Sequence, residues 1–159
     1  MNLNDDDFTL FNLPRTYAQD MATIDTRWKA LQRQAHPDKF AAASSFEQKQ
    51  AMMMASTINE AYRTLKSPLD RAAYLLSAAG IEADAPEHTA FPAAFLMQQM
   101  EWREALEDAD GTAAIDALED EVEQARSAAL VRVGALLDEQ QDWAGAAQQV
   151  RALMFLARF

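Results

Sequence analysis

The chain has 159 residues, half of them apolar, which is enough to bury the core of one compact domain or of two small ones. It has no cysteine and only two histidines, which excludes disulfides and thiolate metal sites. Its net charge of −11 argues against a nucleic acid as the main ligand, because such binding relies on neutralising phosphates. Only four glycines and five prolines interrupt residue types that favour helices, so an all-α fold is expected.

The charge is divided unevenly along the chain. Residues 1–79 contain nine basic and nine acidic residues, whereas residues 80–159 contain five and sixteen. We therefore expect two domains with different partners, residues 1–79 and 91–159, joined by a linker over residues 80–90 that contains Pro86.

The N-terminus lacks signal-peptide character, and no segment approaches the roughly 20 apolar residues that span a bilayer. A soluble, cytoplasmic protein without a membrane partner is therefore expected.

Three helices are predicted in the first half, after a short apolar turn over residues 8–13. The first runs from an N-cap at about Asp20 to about Ala35, and the second from about Ser45 to about Lys66. The third begins at Pro68 and is closed by a C-cap at Gly80. Helical spacing assigns these inward positions: Met21, Ile24, Trp28, Leu31 and Ala35, then Met54, Ile58, Ala61, Tyr62 and Leu65, then Leu69, Ala72, Ala73 and Leu76.

The sequence His36-Pro37-Asp38 lies between the first two of these helices. Proline disfavours helical geometry in the residue before it, so the helix is expected to end at His36 and to present His36 and Asp38 in a tight, exposed loop. Such a loop suits docking, because a carboxylate can bind an arginine of a partner and proline limits the freedom lost on binding. Basic residues outside the apolar stripe would steer an acidic partner surface: Arg27, Lys29 and Arg33.

Three further helices are predicted over residues 92–109, 112–138 and 142–158, and their short connections favour an antiparallel three-helix bundle. At about 100° per residue, the first of them has one core face. That face carries Phe95, Trp102, Leu106 and Ala109. The opposite side carries Leu96, Met97 and Met100, interleaved with Glu101 and Glu104.

The last helix repeats this arrangement. Its core stripe is predicted to be Trp143, Ala147, Val150, Met154 and Ala157. Phe155 and Phe159 lie more than about 100° from that stripe. Outward apolar residues with acidic neighbours are typical of a protein-binding surface, and methionine adapts to irregular partners. The alternative is that they pack against the first domain or against a second copy of the chain.

The His-Pro-Asp loop and its surroundings resemble the J-domain of DnaJ-type co-chaperones. The resemblance covers roughly residues 5–78 and includes Lys39-Phe40, Ile58-Asn59-Glu60-Ala61-Tyr62, Leu65, and Ser67-Pro68 followed by Arg71 and Tyr74. The run from Leu31 to Phe40, joined to an acidic helical module, resembles the HscB branch of that family. The chain departs from the family pattern at Ala35, where tyrosine often precedes the histidine, and it ends at Phe159, earlier than family members usually do.

The resemblance implies an N-terminal J-domain and a C-terminal three-helix bundle with different partners. The loop, Lys39 and the basic helix would bind an HscA- or DnaK-type chaperone, which hydrolyses the ATP. The bundle would bind an IscU-type iron-sulfur scaffold through six residues: Leu96, Met97, Met100, Glu101, Glu104 and Phe155. The chain itself would need no cofactor, because any iron-sulfur chemistry would belong to the partner.

Other function classes predict different observations. An enzyme is not expected, because there is no Gly-rich phosphate loop and no Ser/His/Asp or Cys/His set, and His88 has no obvious catalytic partner. A J-domain protein of another pathway would use its acidic bundle for dimerisation or for a different client. A helical adaptor with an accidental His-Pro-Asp sequence would leave the ATPase rate of a chaperone unchanged.

Overall fold

The computed structural model describes residues 4–82, 91 and 93–156, and for Pro37 it describes the backbone alone. The contacts between Cα atoms divide the chain into two compact units, Met1–Leu75 and Leu76–Phe159, so the division falls within a helix. The expectations for Pro86 and His88 in the linker, and for Ala157 and Phe159 at the chain end, lie outside the described residues.

The first unit begins with α1 (Asp7–Leu10), α2 (Met21–Ala35) and α3 (Ser45–Lys66), and α4 (Pro68–Ala78) follows. Each of the first three starts at a residue whose side chain accepts a hydrogen bond from the backbone of the first turn. These N-caps are Asp6, Asp20 and Ser44. The predicted bounds of α2 and α3 are confirmed. They could be predicted because the capping side chains and the Ser67-Pro68 break are local features of the sequence.

Gly80 ends α4 as predicted. Its φ of +88° lies in the left-handed region that glycine adopts without strain. The Gly80 amide donates to the Ser77 carbonyl at 2.9 Å and the Ile81 amide donates to the Leu76 carbonyl at 2.8 Å. This pair of bonds is a Schellman motif, which satisfies carbonyl groups that a helix end would otherwise leave unpaired.

The core of the first unit is apolar and contains one buried cation. Its fully buried large side chains include Phe8, Phe11, Ile24, Ile58 and Leu65. Arg71 of α4 is also buried, and its Nη1 donates to the Leu65 carbonyl at 2.5 Å near the end of α3. The guanidinium lies 4.8 Å from the centroid of the Tyr17 ring, a cation–π contact that helps to accommodate the buried charge.

The second unit contains the expected three-helix bundle: α5 (Ala93–Asp108), α6 (Thr112–Gly134) and α7 (Trp143–Leu156). The chain does not remain α-helical to residue 138 as predicted. Beyond Gly134 it widens into a π-helical turn, Ala135–Glu139, in which the Gln140 amide donates to the Ala135 carbonyl at 3.0 Å. The Asp142 carboxylate then accepts from the Gly145 amide at 3.0 Å and caps α7.

On α5 the predicted core stripe is correct for Trp102, which is buried, and wrong for Leu106, which is 47% exposed. Leu106 lies in the last turn of α5, and the turn between α5 and α6 that follows is open to solvent, since residues 110–117 are all exposed.

On α7 the buried face is rotated away from the predicted stripe. Ala147 and Val150 are buried as expected. The rest of the buried face is formed by Ala146, Leu153 and Leu156, which the prediction left out. Trp143 and Met154 are only half-buried. Because α7 is apolar around most of its circumference, the periodicity of its sequence does not single out one face.

Gln99 is an unexpected member of the bundle core. It is 4% exposed, and its Oε1 and Nε2 have no hydrogen-bond partner among the described residues. Burying an amide without partners costs about 1–3 kcal/mol.

The Gln99→Met substitution removes that cost and keeps an unbranched side chain of similar length. We expect it to raise the free energy of unfolding by about 1–3 kcal/mol, measured by urea or thermal denaturation. Gln124→Met, at an exposed position of α6, controls for the added methionine. A loss of stability in Gln99→Met but not in Gln124→Met would contradict this account.

Candidate functional site

The His-Pro-Asp loop is a short 3₁₀ turn, Pro37–Phe40, that follows directly on α2. His36 ends α2 with ψ of 131°, the extended geometry that a following proline favours. The Asp38 amide donates to His36 Nδ1 at 3.2 Å, and the Lys39 amide donates to the His36 carbonyl at 3.0 Å. A neutral imidazole that accepts at Nδ1 carries its proton on Nε2, which is thus available as a donor.

The two polar side chains of the loop are accessible to a partner. The Asp38 side chain is 93% exposed and the His36 side chain 54% exposed, and Asp38 Oδ2 lies 3.5 Å from His36 Nδ1. The prediction of an exposed histidine and aspartate at the end of α2 is therefore confirmed. The loop presents one carboxylate and one imidazole whose relative positions are set by backbone hydrogen bonds.

The α2–α3 hairpin that carries the loop is held by an amide and an aromatic stack. Asn59 Oδ1 accepts from Trp28 Nε1 at 3.0 Å and also from Gln32 Nε2. Trp28 stacks on Tyr62, with ring centroids 4.6 Å apart. These contacts join α2 to α3 on one side of the hairpin. They therefore hold in place the two helices that the loop connects.

A cluster of charged and polar side chains also joins α2 to α3, near the start of α2 and the end of α3. Asp25 Oδ1 accepts from Lys66 Nζ at 2.6 Å and from the Tyr62 hydroxyl at 2.7 Å. The hydrogen bonds from Lys66 and Tyr62 hold the pKa of the Asp25 carboxyl below its usual value. The same hydrogen bonds to Asp25 raise the pKa values of Lys66 and of the Tyr62 hydroxyl.

The lowered pKa of Asp25 predicts a pH dependence. Since the folded-state pKa lies below the unfolded value, the stability contributed by this carboxylate is present above the unfolded pKa and is lost as pH falls through the folded one. We expect Asp25→Asn to reduce the fall in the free energy of unfolding between about pH 6 and about pH 3, measured by urea denaturation. Asp70→Asn, at an exposed position of α4, is the control. Equal pH profiles for wild type and Asp25→Asn would contradict the assignment.

The predicted basic residues do not form one uniform surface. Lys29 and Arg33 of α2 and Lys39 of the loop are exposed, as expected. Arg27 is half-buried, and its Nη1 donates to the carbonyls of Phe11 at 3.0 Å and Asn12 at 2.8 Å. Arg27 therefore ties the segment after α1 to α2, and the expectation that it belongs to an outer basic face is wrong in this respect.

The outward side of α5 is confirmed as an apolar surface. Leu96 is 48% exposed, and Met97 and Met100 are each 62% exposed. Glu101 and Glu104 are exposed beside them. We call these five residues the α5 patch. Large exposed apolar side chains on a charged helix are characteristic of a protein-binding surface.

Phe155, the sixth residue expected in that surface, is placed differently. It is half-buried in an aromatic cluster in which its ring lies 5.5 Å from that of Phe91 and 6.0 Å from that of Phe95. The rings of Phe91 and Phe95 are themselves 5.2 Å apart. Phe155 thus packs α7 against α5, and only part of its ring is accessible. The sequence prediction missed this cluster because it treated the two helices separately.

A second set of exposed apolar residues was not predicted. Phe46, Met52 and Met53 of α3 are 68%, 63% and 48% exposed. A helical projection at about 100° per residue places Phe46 and Met53 on the side of α3 opposite the buried Ile58, so the signal was present in the sequence.

In the part of the chain that the structure describes, no group of three or more His, Asp or Glu side chains is arranged to hold a metal ion. A membrane-crossing helix is likewise not found there, since each described helix is too short or too polar.

Comparisons with known proteins agree with this architecture. Residues 91–159 match the family model described as the HSCB C-terminal oligomerisation domain. The chain is 48% identical to the co-chaperone protein HscB homolog of Burkholderia mallei over 99% of this chain and 91% of the relative. It is 51% identical to that of Neisseria meningitidis over 94% of this chain and 91% of the relative.

A solved structure agrees as well. The chaperone HscB from Vibrio cholerae superimposes with a TM-score of 0.83 at 40% identity, covering 97% of this chain and 92% of that one. Sequence identity at this level over nearly the full length of both compared chains shows that they belong to one family and share a fold. The chain therefore belongs to the HscB family of co-chaperones, with an N-terminal J-domain and a C-terminal three-helix bundle.

Proposed function

We propose that this chain is an adaptor with two binding surfaces. Its His-Pro-Asp loop docks on an HscA- or DnaK-type chaperone and stimulates the ATPase of that chaperone, and its C-terminal bundle delivers an IscU-type iron-sulfur scaffold. The proposal takes residues 1–79 as the J-domain, 80–90 as a linker and 91–159 as the scaffold-binding domain, acting in the cytoplasm. The observation that carries it is the presence on one chain of an exposed, braced His36–Asp38 loop and the exposed α5 patch.

The loop is suited to an arginine of the chaperone. An exposed carboxylate such as that of Asp38 accepts two parallel hydrogen bonds from a guanidinium, and charge-assisted bonds of this kind are roughly twice as strong as neutral ones. The imidazole of His36 offers a donor next to that carboxylate. The backbone bonds within the loop limit the conformational freedom that binding would otherwise cost.

The surrounding charges favour an acidic surface on the chaperone. Lys29 and Arg33 of α2 and Lys39 of the loop are exposed. Charges of this kind raise the rate of association with an oppositely charged partner more than they raise affinity. Arg27 acts as a positioning residue in this proposal, because its guanidinium is engaged with the backbone of residues 11 and 12.

The α5 patch supplies the contact with the scaffold. Leu96, Met97 and Met100 provide the apolar centre, and Glu101 and Glu104 provide an acidic rim. Protein interfaces commonly combine a water-excluding apolar centre with a polar edge. Phe155 contributes the accessible part of its ring and holds α7 against α5. The chain has no cysteine, so in this proposal the cluster is cargo that the scaffold holds.

The test is the ATPase rate of the chaperone with this chain, with the scaffold, and with both. We expect modest stimulation by each component and a rate with both that exceeds the sum of the separate effects. The His36→Gln variant is expected to remove the stimulation due to the chain. Stimulation that survives His36→Gln, or the absence of any synergy with the scaffold, would contradict the proposal.

A second candidate function is favoured by the description of the matched family model as an oligomerisation domain. In this alternative the chain is a J-domain co-chaperone of another pathway, and its acidic bundle forms a dimer or holds a different client. Sedimentation equilibrium over a range of protein concentrations distinguishes the two. A dimer mass, together with no capture of an IscU-type scaffold in a pull-down, would favour the alternative.

A further inference from the structure

Methionine is the sulfur-containing residue that this chain exposes to oxidants. The sequence has eight methionines and no cysteine. Among the described residues, Met52 and Met53 on α3 and Met97 and Met100 on α5 are exposed. Met21, Met54 and Met154 are half-buried. Accessible thioethers react with peroxides more readily than covered ones, so four of these sites are distinguished by exposure.

Two of the four thioethers lie within the surface proposed to bind the client. Met97 and Met100 are three residues apart on α5, so their side chains lie on neighbouring turns of one helical face. Together with Leu96 they are the apolar centre of the α5 patch. A chemical change at these two sulfur atoms therefore alters two of the three apolar side chains that a client would cover.

We propose that Met97 and Met100 are sites of reversible oxidation, and that their oxidation by a hydroperoxide releases the client from the α5 patch. This inference rests on the proposed function of the patch. In the reaction, a lone pair of the thioether sulfur attacks one oxygen of the hydroperoxide. The S–O bond forms as the O–O bond breaks, and the sulfur loses two electrons. The proton on the attacked oxygen passes to the second oxygen, which leaves as water or an alcohol.

The product has the wrong polarity for an apolar interface. A sulfoxide oxygen is a strong hydrogen-bond acceptor, and burying it without a donor costs free energy. The exposed neighbours Glu101 and Glu104 carry carboxylates, which accept hydrogen bonds and do not donate them. The oxidised patch is thus expected to retain water, whereas the reduced patch gains from excluding it.

Client binding and oxidation should also oppose each other in the reverse direction. A bound client covers the thioethers of Met97 and Met100, so it is expected to slow their oxidation. Met52 and Met53 lie on α3 of the other unit and serve as exposed methionines outside the patch. Their rate of oxidation is expected to be unaffected by the client.

The experiment treats the full chain with hydrogen peroxide, quantifies each sulfoxide by peptide mass spectrometry, and measures the affinity for an IscU-type scaffold by isothermal titration calorimetry. We expect oxidised wild type to bind at least about tenfold more weakly than reduced wild type. Treatment with the two methionine sulfoxide reductases, one for each epimer, should restore the affinity. Prior addition of the scaffold should protect Met97 and Met100 but not Met52 and Met53.

Two double variants show which methionines are responsible for the loss of affinity on oxidation. In Met97→Leu/Met100→Leu, the ratio of the affinities before and after peroxide is expected to be close to one. In Met52→Leu/Met53→Leu, the loss on oxidation should equal that of wild type. Equal affinity of reduced and fully oxidised wild type, or no protection of Met97 and Met100 by the scaffold, overturns this inference alone. Failure of reduced wild type to bind the scaffold overturns the proposed function and this inference with it.

Discussion

Replacing Asp38 with asparagine is expected to reduce the stimulation of the chaperone ATPase to about a tenth or less of the wild-type effect. The side chain is 93% exposed, so the substitution removes a charge from a surface and leaves no buried group unpaired. Asparagine keeps the shape of the side chain but loses the negative charge and one of the two acceptor oxygens that a bidentate arginine contact needs. Hydrogen bonds to charged groups contribute about 1.5–3 kcal/mol.

The measurement is the steady-state ATPase rate of the chaperone as a function of co-chaperone concentration. Circular dichroism and thermal unfolding of Asp38→Asn should match those of wild type, which separates loss of docking from loss of fold. Asp70→Asn changes an exposed aspartate of α4 and should stimulate normally. Full stimulation by Asp38→Asn would show that the carboxylate of the loop does not carry the interaction.

The second large effect is expected from the triple substitution Leu96→Ala/Met97→Ala/Met100→Ala. Truncation of a well-packed interface residue costs about 1–2 kcal/mol, so the three together should weaken scaffold binding by at least about a hundredfold. The fold should be little affected, because these side chains are 48–62% exposed and do not belong to the core. Isothermal titration calorimetry measures the affinity, and thermal unfolding checks the bundle.

Leu106 offers a matched control on the same helix. It is 47% exposed, almost the same as Leu96 at 48%, and lies near the other end of α5 outside the α5 patch. Leu106→Ala should leave the affinity for the scaffold unchanged, whereas Leu96→Ala alone should lower it about fivefold or more. Equal effects of the two single substitutions would mean that the position of the patch is wrongly assigned.

The J-domain illustrates what local sequence signals can predict. The caps at Asp20 and Gly80, the break at Ser67-Pro68 and the end of α2 at His36 were all expected and are all observed. Each depends on interactions within a few residues of the chain, so no knowledge of the tertiary structure is needed. The exposure of His36 and Asp38 follows from the same local geometry, because a proline forces the chain out of the helix at that point.

The side-chain contacts that brace the loop could not be predicted in this way. Asn59 and Gln32 are polar residues on different helices, and their hydrogen bond depends on the register of α2 against α3. Arg27 has the sequence features of a surface cation, yet it is engaged by backbone carbonyls 15 and 16 residues earlier in the chain. Arg71 is buried for a similar reason, since only the fold brings its guanidinium to the end of α3 and to Tyr17.

In the C-terminal bundle, too, some features could be predicted from the sequence and others depend on the tertiary structure. Helical periodicity was sufficient to place Leu96, Met97 and Met100 outside the core, because steps of about 100° per residue put them on the side of α5 opposite Phe95 and Trp102. It was insufficient for α7, which is apolar around most of its surface, and for Leu106, which lies next to the exposed turn between α5 and α6. Phe155 was expected to be outward and is half-buried, because Phe91 and Phe95 converge on it from another part of the chain.

The amino-acid sequence alone was thus enough to establish the all-α class, the ends of the J-domain helices, the exposed His-Pro-Asp loop and the apolar side of α5. These properties depend on capping, proline geometry and helical period, which act over a few residues. The tertiary structure decided which polar groups are engaged, which face of α7 is buried and how much of Phe155 remains accessible. Those outcomes depend on contacts between residues far apart in the chain, and such contacts exist only after the helices have packed.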